Sequence, residues 1–232
     1  MKESAVAVIK SNRNKVFLVI SGIFLLLFLI VAFMTTGTQG MLLDENGVYW
    51  ASQSHSVILT KIMMFASFIG SSEMILLLTV LIGLGLLIKR KWRHFFFFFI
   101  VSVGGVALNL ALKVLVQRGR PGDEAKYIDV FNYQFELQSY SFPSGHTMRA
   151  MIFFLFLIYL SYYFMRGAMK KTIAYLIFAL LAIGVGVSRI MLDAHFITDV
   201  AGAVVISIAW FFLCLYFFHK PKNAGFSFYL GR

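Results

Sequence analysis

Three short stretches of the sequence carry side chains that could act on an anionic substrate. Residues 113–121 read KVLVQRGRP, residues 142–146 read FPSGH, and residues 188–199 read SRIMLDAHFITD. In the third stretch, His195 and Asp199 are four residues apart, so on a helix they share a face and the carboxylate can accept a hydrogen bond from one ring nitrogen. The other nitrogen is then unprotonated and free to attack, which is the arrangement of a nucleophile with its orienting group.

The second stretch predicts a turn followed by the start of a helix. Pro143, Ser144 and Gly145 favour a turn into a helix, and the free N–H groups of a first helical turn form an anion site. His146 follows at once, so we expect it to lie beside the bound anion. A purely structural role is the alternative for a histidine near a helix end.

Cations accompany the first and third stretches. Lys113 and Arg120 are seven residues apart and could share a helical face, although Pro121 favours an extended Arg120. Arg189 adds a third positive charge. A Lys or Arg within a membrane costs about 2.5 to 3.5 kcal/mol on insertion scales, so such groups usually line a wet cavity or bind an anion. The sign of these charges predicts an anionic ligand.

Two further arginines stand beside these groups. Arg149 lies three residues beyond His146, so on a helix both point into the same cavity. It would contact a second phosphate or a lipid headgroup, or it would simply extend to water at the membrane surface. Arg118 is assigned to general attraction of anions.

The composition is that of an integral membrane protein. The 232 residues are 60% hydrophobic and 13% charged, far from the mixture of a soluble domain. The net charge of +11 does not indicate nucleic acid, because basic residues on membrane proteins reflect topology and contact with anionic lipid. The single cysteine, Cys214, lies in an apolar stretch and excludes a disulfide framework or a thiolate metal cluster.

Long apolar runs predict an all-α, polytopic protein of one domain, residues 1–232, because only helices and closed barrels satisfy the backbone in lipid and barrels need alternating strands. Six runs are candidates for spans: 16–34, 74–88, 95–112, 150–165, 172–187 and 200–218. Several are shorter than the roughly 20 residues that cross hydrocarbon. Their ends must therefore include polar neighbours, namely Glu73, Lys113, Arg149 and Arg189.

A further helical pattern lies between the first two spans. Ile58, Ile62, Phe65 and Ile69 recur at the period of one helical face. This pattern predicts a short helix on the membrane surface, or an outward extension of the second span.

The distribution of basic residues predicts the orientation. Fourteen of the 21 Lys and Arg fall on one side of the six spans: Lys2, Lys10, Arg13, Lys15, Lys89, Arg90, Lys91, Arg93, Arg166, Lys170, Lys171, Lys220, Lys222 and Arg232. By the positive-inside rule this side is the cytoplasm, which places both termini inside and the three stretches at the extracytoplasmic face. We expect residues 16–34 to be a retained anchor rather than a cleaved signal peptide, since the run is long for a signal sequence and no clear cleavage site follows.

The three stretches together resemble the signature of the type 2 phosphatidic acid phosphatase superfamily, which also includes the vanadium haloperoxidases. That signature reads K-x6-R-P, P-S-G-H and S-R-x5-H-x3-D. It is matched by Lys113 with Arg120 and Pro121, by residues 143–146, and by Ser188 and Arg189 with His195 and Asp199. The motifs cover residues 113–199, and the order of six spans is similar to that of bacterial membrane members of the phosphatidylglycerophosphatase B type.

This resemblance implies a metal-independent lipid phosphatase, without a cofactor, that works through a phosphohistidine. By analogy His195 attacks phosphorus, Asp199 holds its tautomer, and His146 acts as general acid and then as general base. Five residues would hold the phosphoryl oxygens: Lys113, Arg120, Ser144, Gly145 and Arg189. Phosphoryl transfer depends mainly on positioning and on neutralising charge, which fixed cations can supply.

The family's bacterial members act on undecaprenyl diphosphate, phosphatidylglycerophosphate, phosphatidate and related lipids, and the motifs do not choose among them. A phosphotransferase that passes the phosphoryl group to another acceptor is an alternative that uses the same phosphohistidine. A non-enzymatic lipid transporter is a second alternative, since charges within membranes also mark ion pathways. The haloperoxidases are soluble proteins, and the six apolar runs of this chain therefore argue against a haloperoxidase. The oligomeric state is not readable from the sequence.

Overall fold

The chain folds into a bundle of helices, most of which are joined by short connections. The computed structural model describes residues 2–53, 56–121, 127–130, 133–136 and 140–219, with side chains for 14–37, 40–53, 56–121 and 140–219. The helices are α1 (Lys2–Met34), α2 (Thr38–Gln53), α3 (Val57–Ile69), α4 (Ser72–Ile88), α5 (Trp92–Val116), α6 (Gly145–Phe164), α7 (Ala168–Met191) and α8 (Ile197–His219). Between α5 and α6, β1 (Tyr127–Val130) pairs antiparallel with β2 (Tyr133–Glu136).

Within the described residues, five helices are long and apolar enough to cross a membrane, namely α5, α6, α7, α8 and the Asn14–Met34 part of α1. The pair α3 and α4 provides a sixth candidate, with a bend of 46° at the break between them. The helical membrane architecture is therefore confirmed, with five or six spans against the predicted six. Each predicted apolar run lies within a helix, except that the run 150–165 extends one residue beyond the end of α6. Glu73, Lys113, Arg149 and Arg189 lie inside these helices as expected.

The segment between the first two predicted spans is more structured than expected. The pattern of Ile58 to Ile69 does form a helix, α3, and this helix is separated from α4 by Gly70 and Ser71 rather than continuous with it. The second helix here, α2, has no counterpart among the predicted elements. The short β-hairpin is likewise an addition to the predicted all-α fold, and it lies outside the membrane helices in sequence.

The central helix α6 contacts α4, α5, α7 and α8. Its aromatic side chains fill the interior, where the rings of Phe98 and Phe156 stack with centroids 4.1 Å apart. The first helix packs along α8, and Ser21 Oγ of α1 donates to the carbonyl of Ala209 at 2.9 Å. Burial of such large apolar side chains and their close packing hold the helices in register.

One close approach in this bundle fixes the segment that precedes α6. A Cβ added at Gly202 of α8 would lie 2.5 Å from the ring of Phe142, so only glycine allows this contact. The Phe142 ring is fully buried and stacks on Phe28 of α1 with centroids 5.7 Å apart. The turn that begins α6 is therefore held between α1 and α8.

Candidate active site

All three motif stretches meet at the end of the bundle where α5 ends and α6 begins. The fifth helix stops at Val116, because Gln117 adopts a left-handed conformation with φ of 49°. Lys113 stays in the last helical turn, whereas Arg120 and Pro121 follow the helix in an irregular segment. Of the two alternatives, the shared helical face of Lys113 and Arg120 is therefore wrong, because the helix ends before it reaches Arg120.

The predicted turn into a helix at residues 143–146 is confirmed. Ser144 is the N-cap residue of α6, and its Oγ accepts hydrogen bonds from the Thr147 N–H at 3.5 Å and the Thr147 hydroxyl at 3.0 Å. The Ser144 N–H donates to the carbonyl of Asp199 at 3.1 Å, which joins this turn to α8. The Asn109 side chain of α5 donates to the Pro143 carbonyl at 3.1 Å. The first N–H groups of α6 have no acceptor within the helix, as at any helix start.

His195 and Asp199 form a contact, as their spacing predicted. The distance from His195 Nδ1 to Asp199 Oδ2 is 3.4 Å, and both residues are buried, with exposed fractions of 2% and 0%. They are not on one helix, however, since His195 lies before the start of α8 and Asp199 in its first turn. The Phe196 N–H donates to Asp199 Oδ2 at 2.9 Å, so the carboxylate bonds the residue next to the histidine as well as the histidine itself.

Burial is the largest influence on the pKa of His195. It lowers the pKa of the imidazole to about 4, against the opposing effect of the hydrogen bond and charge of Asp199 and with a further lowering by Arg120 and Arg189. The neutral imidazole is the form that can attack an electrophile. His195 is therefore neutral across the neutral pH range, with one ring nitrogen free of a proton.

Four cations gather around the two histidines, and we call Lys113, Arg120, Arg149 and Arg189 the basic cluster. Lys113 interacts electrostatically with Arg120, Arg149 and Asp199. His146 interacts in the same way with Arg120, Arg149, Arg189 and His195. Like charges at this range repel each other unless an anion lies among them. The basic cluster is thus suited to a multiply charged anion.

Two arginines of the basic cluster have hydrogen-bonding capacity to spare. The Nε atoms of Arg149 and Arg189 are buried and have no hydrogen-bond partner within the described part of the chain. Arg189 uses Nη1 to donate to Ser67 Oγ of α3 at 2.5 Å. Buried N–H donors without acceptors are costly, which favours a ligand that supplies acceptor oxygens here.

Arg149 folds back towards the start of its own helix. Its Nη1 would lie 3.2 Å from a Cβ added at Gly145, and Asn109 Oδ1 would lie at the same distance. Glycine at this position therefore leaves room for the guanidinium over the first turn of α6. This places Arg149 beside Gly145 and His146, as its spacing in the sequence predicted.

Arg118 behaves differently from the expectation of a general anion attractor. Its Nη1 donates to Asp199 Oδ1 at 2.8 Å, and its Nη2 forms an ion pair with Asp44 of α2. Two carboxylates thus neutralise this arginine, so the predicted role is wrong. The pairing depends on α2, which was not among the predicted elements.

Several polar residues that support this region were not singled out from the sequence. They are Asp44, Ser67, Asn109, Ser141 and Thr198, all of them buried. Of these residues, Asp44 alone belongs to a pattern visible in the sequence, since Asp44, Gly47 and Ala51 recur at helical spacing. The three residues form the buried face of α2. In the described residues no three His, Cys, Asp or Glu side chains are grouped as a metal ion would require.

Known proteins resemble this chain in both sequence and structure. Residues 93–222 match the PAP2 superfamily. The chain is 33% identical over 166 residues to phosphatidylglycerophosphatase B of Bacillus subtilis (strain 168), an alignment that covers 71% of this chain and 78% of that protein. It also resembles the crystal structure of a transmembrane PAP2 type phosphatidylglycerolphosphate phosphatase from Bacillus subtilis, with a TM-score of 0.73 and 29% identity. That similarity covers 88% of this chain and 98% of the other.

The chain belongs to the PAP2 superfamily, which confirms the family indicated by the three motifs. Within that superfamily it is a multi-pass membrane protein and a phosphatase of the hydrolase class that acts on lipids.

Proposed function

We propose that this protein removes the terminal phosphate from a lipid phosphate or diphosphate at the extracytoplasmic face of the cell membrane, through a phosphohistidine on His195. The observation that carries the proposal is the buried His195–Asp199 pair, with a 3.4 Å contact, next to the basic cluster. A nucleophile with an orienting carboxylate and several fixed cations is what phosphoryl transfer requires. The single phosphatase domain would extend over residues 1–232, with its reactive groups between 113 and 199.

In the first step, Nε2 of His195 attacks phosphorus while the bond from phosphorus to the lipid oxygen breaks. The electron pair stays on that oxygen, which takes a proton from His146. In the second step, His146 removes a proton from water, and the resulting hydroxide displaces His195 from phosphorus. Asp199 holds the Nδ1–H of His195 throughout, so that Nε2 remains the attacking atom.

The phosphoryl oxygens would be held by Lys113, Arg120 and Arg189 together with the Gly145 N–H and the Ser144 hydroxyl. Ser144 accepts two hydrogen bonds from Thr147, so its own O–H proton remains available to donate. Donors fixed in advance around a developing charge lower the barrier without further reorganisation. This arrangement needs no metal ion for charge neutralisation.

Phosphatidylglycerophosphate is the first substrate to test, because both relatives are named for its hydrolysis. Undecaprenyl diphosphate and phosphatidate are the other members of the proposed class. The experiment is phosphate release by purified protein in detergent with a chelator present, across these three lipids and beside His195→Ala. Release that survives chelation and is lost in His195→Ala supports the proposal. Appreciable release by folded His195→Ala would contradict the role of the nucleophile.

Arg149 would bind a second phosphate of the substrate. It has no hydrogen-bond or ion-pair partner among the described residues, its Nε is buried, and it lies over the first turn of α6 beside Gly145. Phosphatidylglycerophosphate and undecaprenyl diphosphate each carry a second phosphate, whereas phosphatidate has one. Arg149→Gln should therefore raise KM for the first two more than for phosphatidate. An equal effect on all three lipids would show that Arg149 has no role in a second phosphate site.

A phosphotransferase is the second candidate function, since the same phosphohistidine can react with an acceptor hydroxyl instead of water. The two are separated by adding lipid or sugar alcohols to the assay and measuring phosphorylated acceptor against free phosphate. Phosphorylated acceptor in excess of free phosphate would favour the transferase.

A further inference from the structure

Arg118 lies between two buried carboxylates from distant parts of the chain. Its Nη1 donates to Asp199 Oδ1 at 2.8 Å and to the Thr198 hydroxyl at 2.6 Å, and its Nη2 pairs with Asp44. The guanidinium also lies over the ring of Phe196, 4.4 Å from its centroid. A planar arginine with partners at both Nη groups and on its face has little rotational freedom.

Asp44 connects this arrangement to α2. It is 2% exposed, and its Oδ1 accepts a hydrogen bond from the Thr198 N–H at 3.0 Å. This N–H lies at the start of α8, where the helix itself supplies no acceptor. Its Oδ2 accepts from the Thr198 hydroxyl at 2.8 Å. Nearby, a Cβ at Gly47 would lie 2.6 Å from the Ile197 side chain, so α2 approaches the start of α8 as closely as glycine permits. Asp44 therefore caps the start of α8, although it lies 154 residues from Thr198 in the sequence.

The two oxygens of Asp199 have different partners as a result. Oδ1 accepts from Arg118 and, at 3.3 Å, from the Ser141 hydroxyl. Oδ2 is left for His195 and the Phe196 N–H. The Arg118 carbonyl in turn accepts from the Ser141 N–H at 2.8 Å. Arg118 thus fixes the rotation of the carboxylate on one side while the histidine uses the other.

We propose that Asp44 and Arg118 are positioning residues for the His195–Asp199 pair, and that they make catalysis depend on the docking of α2. Arg118 holds the carboxylate in the rotamer that meets His195. Asp44 holds Arg118 in place and offsets its positive charge beside Asp199. This inference goes beyond the family motifs, which include neither residue, and it rests on the proposed role of Asp199.

The first test is the separation of kcat from KM in Arg118→Gln and Asp44→Asn. Both should lower kcat by about 100-fold, the effect of a misplaced reacting group, with KM little changed because neither residue belongs to the basic cluster. The matched controls are Glu45→Gln, the exposed neighbour of Asp44 on α2, and Arg166→Gln, an exposed arginine outside the site. Both controls should match the wild type. Wild-type kcat in Arg118→Gln and Asp44→Asn would overturn the proposal.

A pH profile separates positioning from a loss of fold. Among the described residues, the charged or titratable groups that face the pair are Arg118, Asp44, Lys113, Arg120, Arg189 and His146. Loss of the positive charge in Arg118→Gln should move the acidic limb of kcat/KM to higher pH, because His195 then holds its proton more tightly. Loss of the negative charge in Asp44→Asn should move the limb to lower pH. Shifts in the same direction, or no shifts, would contradict the proposal.

Arg118→Lys keeps the positive charge but cannot donate from two nitrogens in a fixed plane. It should lower kcat and leave the acidic limb in place, and it serves as the decisive variant if Asp44→Asn does not fold. An unaltered kcat in folded Arg118→Lys would show that the planar bridge is not needed. Asp199→Asn separates a failure of this inference from a failure of the proposed function. If Asp199→Asn is inactive while Arg118→Gln is fully active, only the positioning role of Arg118 fails. If Asp199→Asn is active, the proposed role of Asp199 itself is wrong.

Discussion

Asp199→Asn is the substitution whose effect follows most directly from the contacts of one side chain. The carboxylate is fully buried, and every partner it has in the described structure is a donor: Arg118 and Ser141 on Oδ1, His195 and the Phe196 N–H on Oδ2. An asparagine keeps the shape but offers one acceptor oxygen. Its NH2 group must therefore face one of these two sets of donors.

The choice between the two orientations determines the expected result. With the NH2 group at the Oδ1 position, an amide donor would face the Arg118 guanidinium, a charged donor, at 2.8 Å. This orientation is the less favourable of the two. The NH2 group should therefore take the Oδ2 position and donate to His195 Nδ1. This moves the imidazole proton to Nε2, the atom that must attack phosphorus. A tautomer reversal of this kind costs about 10⁴-fold in kcat in a serine protease triad, equivalent to about 5 kcal/mol of transition-state stabilisation.

The assay is phosphate release at saturating lipid substrate, with the folded state checked by chromatography and circular dichroism. The control is Asp193→Asn, six positions away and exposed, with a φ of 48° that asparagine also adopts. It should retain wild-type kcat. A folded Asp199→Asn that keeps more than about a tenth of wild-type kcat would show that Asp199 does not set the tautomer of His195, because a factor of ten corresponds to only about 1.4 kcal/mol.

Two further predictions concern the proton transfers. His146→Ala should lose much more activity on alkyl phosphates than on aryl phosphates, because an acidic leaving group needs no proton donor, and equal losses on both would contradict the general acid. The acidic limb of kcat/KM should fall near pH 4 rather than near 6.5, since burial lowers the pKa of His195 to about 4 and activity is lost as pH falls through that value. Profiles of kcat/KM between about pH 3 and pH 8 would decide this, and a limb near the ordinary histidine value that is insensitive to Asp199→Asn would argue against it.

The sequence predicted the parts of the fold that depend on local pattern. The apolar runs located the membrane helices, since lipid requires each span to satisfy its own backbone. Residues 143–146 predicted the start of α6 because the N-cap chemistry of Ser144 is local. The 3.4 Å contact of His195 and Asp199 followed from a separation of four residues, although His195 lies just outside the helix.

The misjudged features depend on tertiary contacts between distant residues. Arg118 was assigned to anion attraction, because its partner Asp44 is 74 positions away on α2 and no local pattern connects the two residues. The shared face of Lys113 and Arg120 assumed a helix that continues past Gln117. The bend between α3 and α4 occurs at Gly70, whose added Cβ would lie 2.3 Å from Val185 of α7. Packing against α7 thus fixes a break that the apolar pattern alone does not reveal.

The most direct test of the proposed mechanism is the capture of the covalent intermediate. Purified protein would be mixed with lipid substrate labelled in its terminal phosphate and quenched within one turnover under denaturing alkaline conditions, in which phosphohistidine survives. We predict that label remains on the wild-type protein, maps to the peptide that contains His195, and is absent from His195→Ala. Turnover by the wild-type protein with no bound label at any quench time, or label on a different residue, would contradict a phosphohistidine at His195.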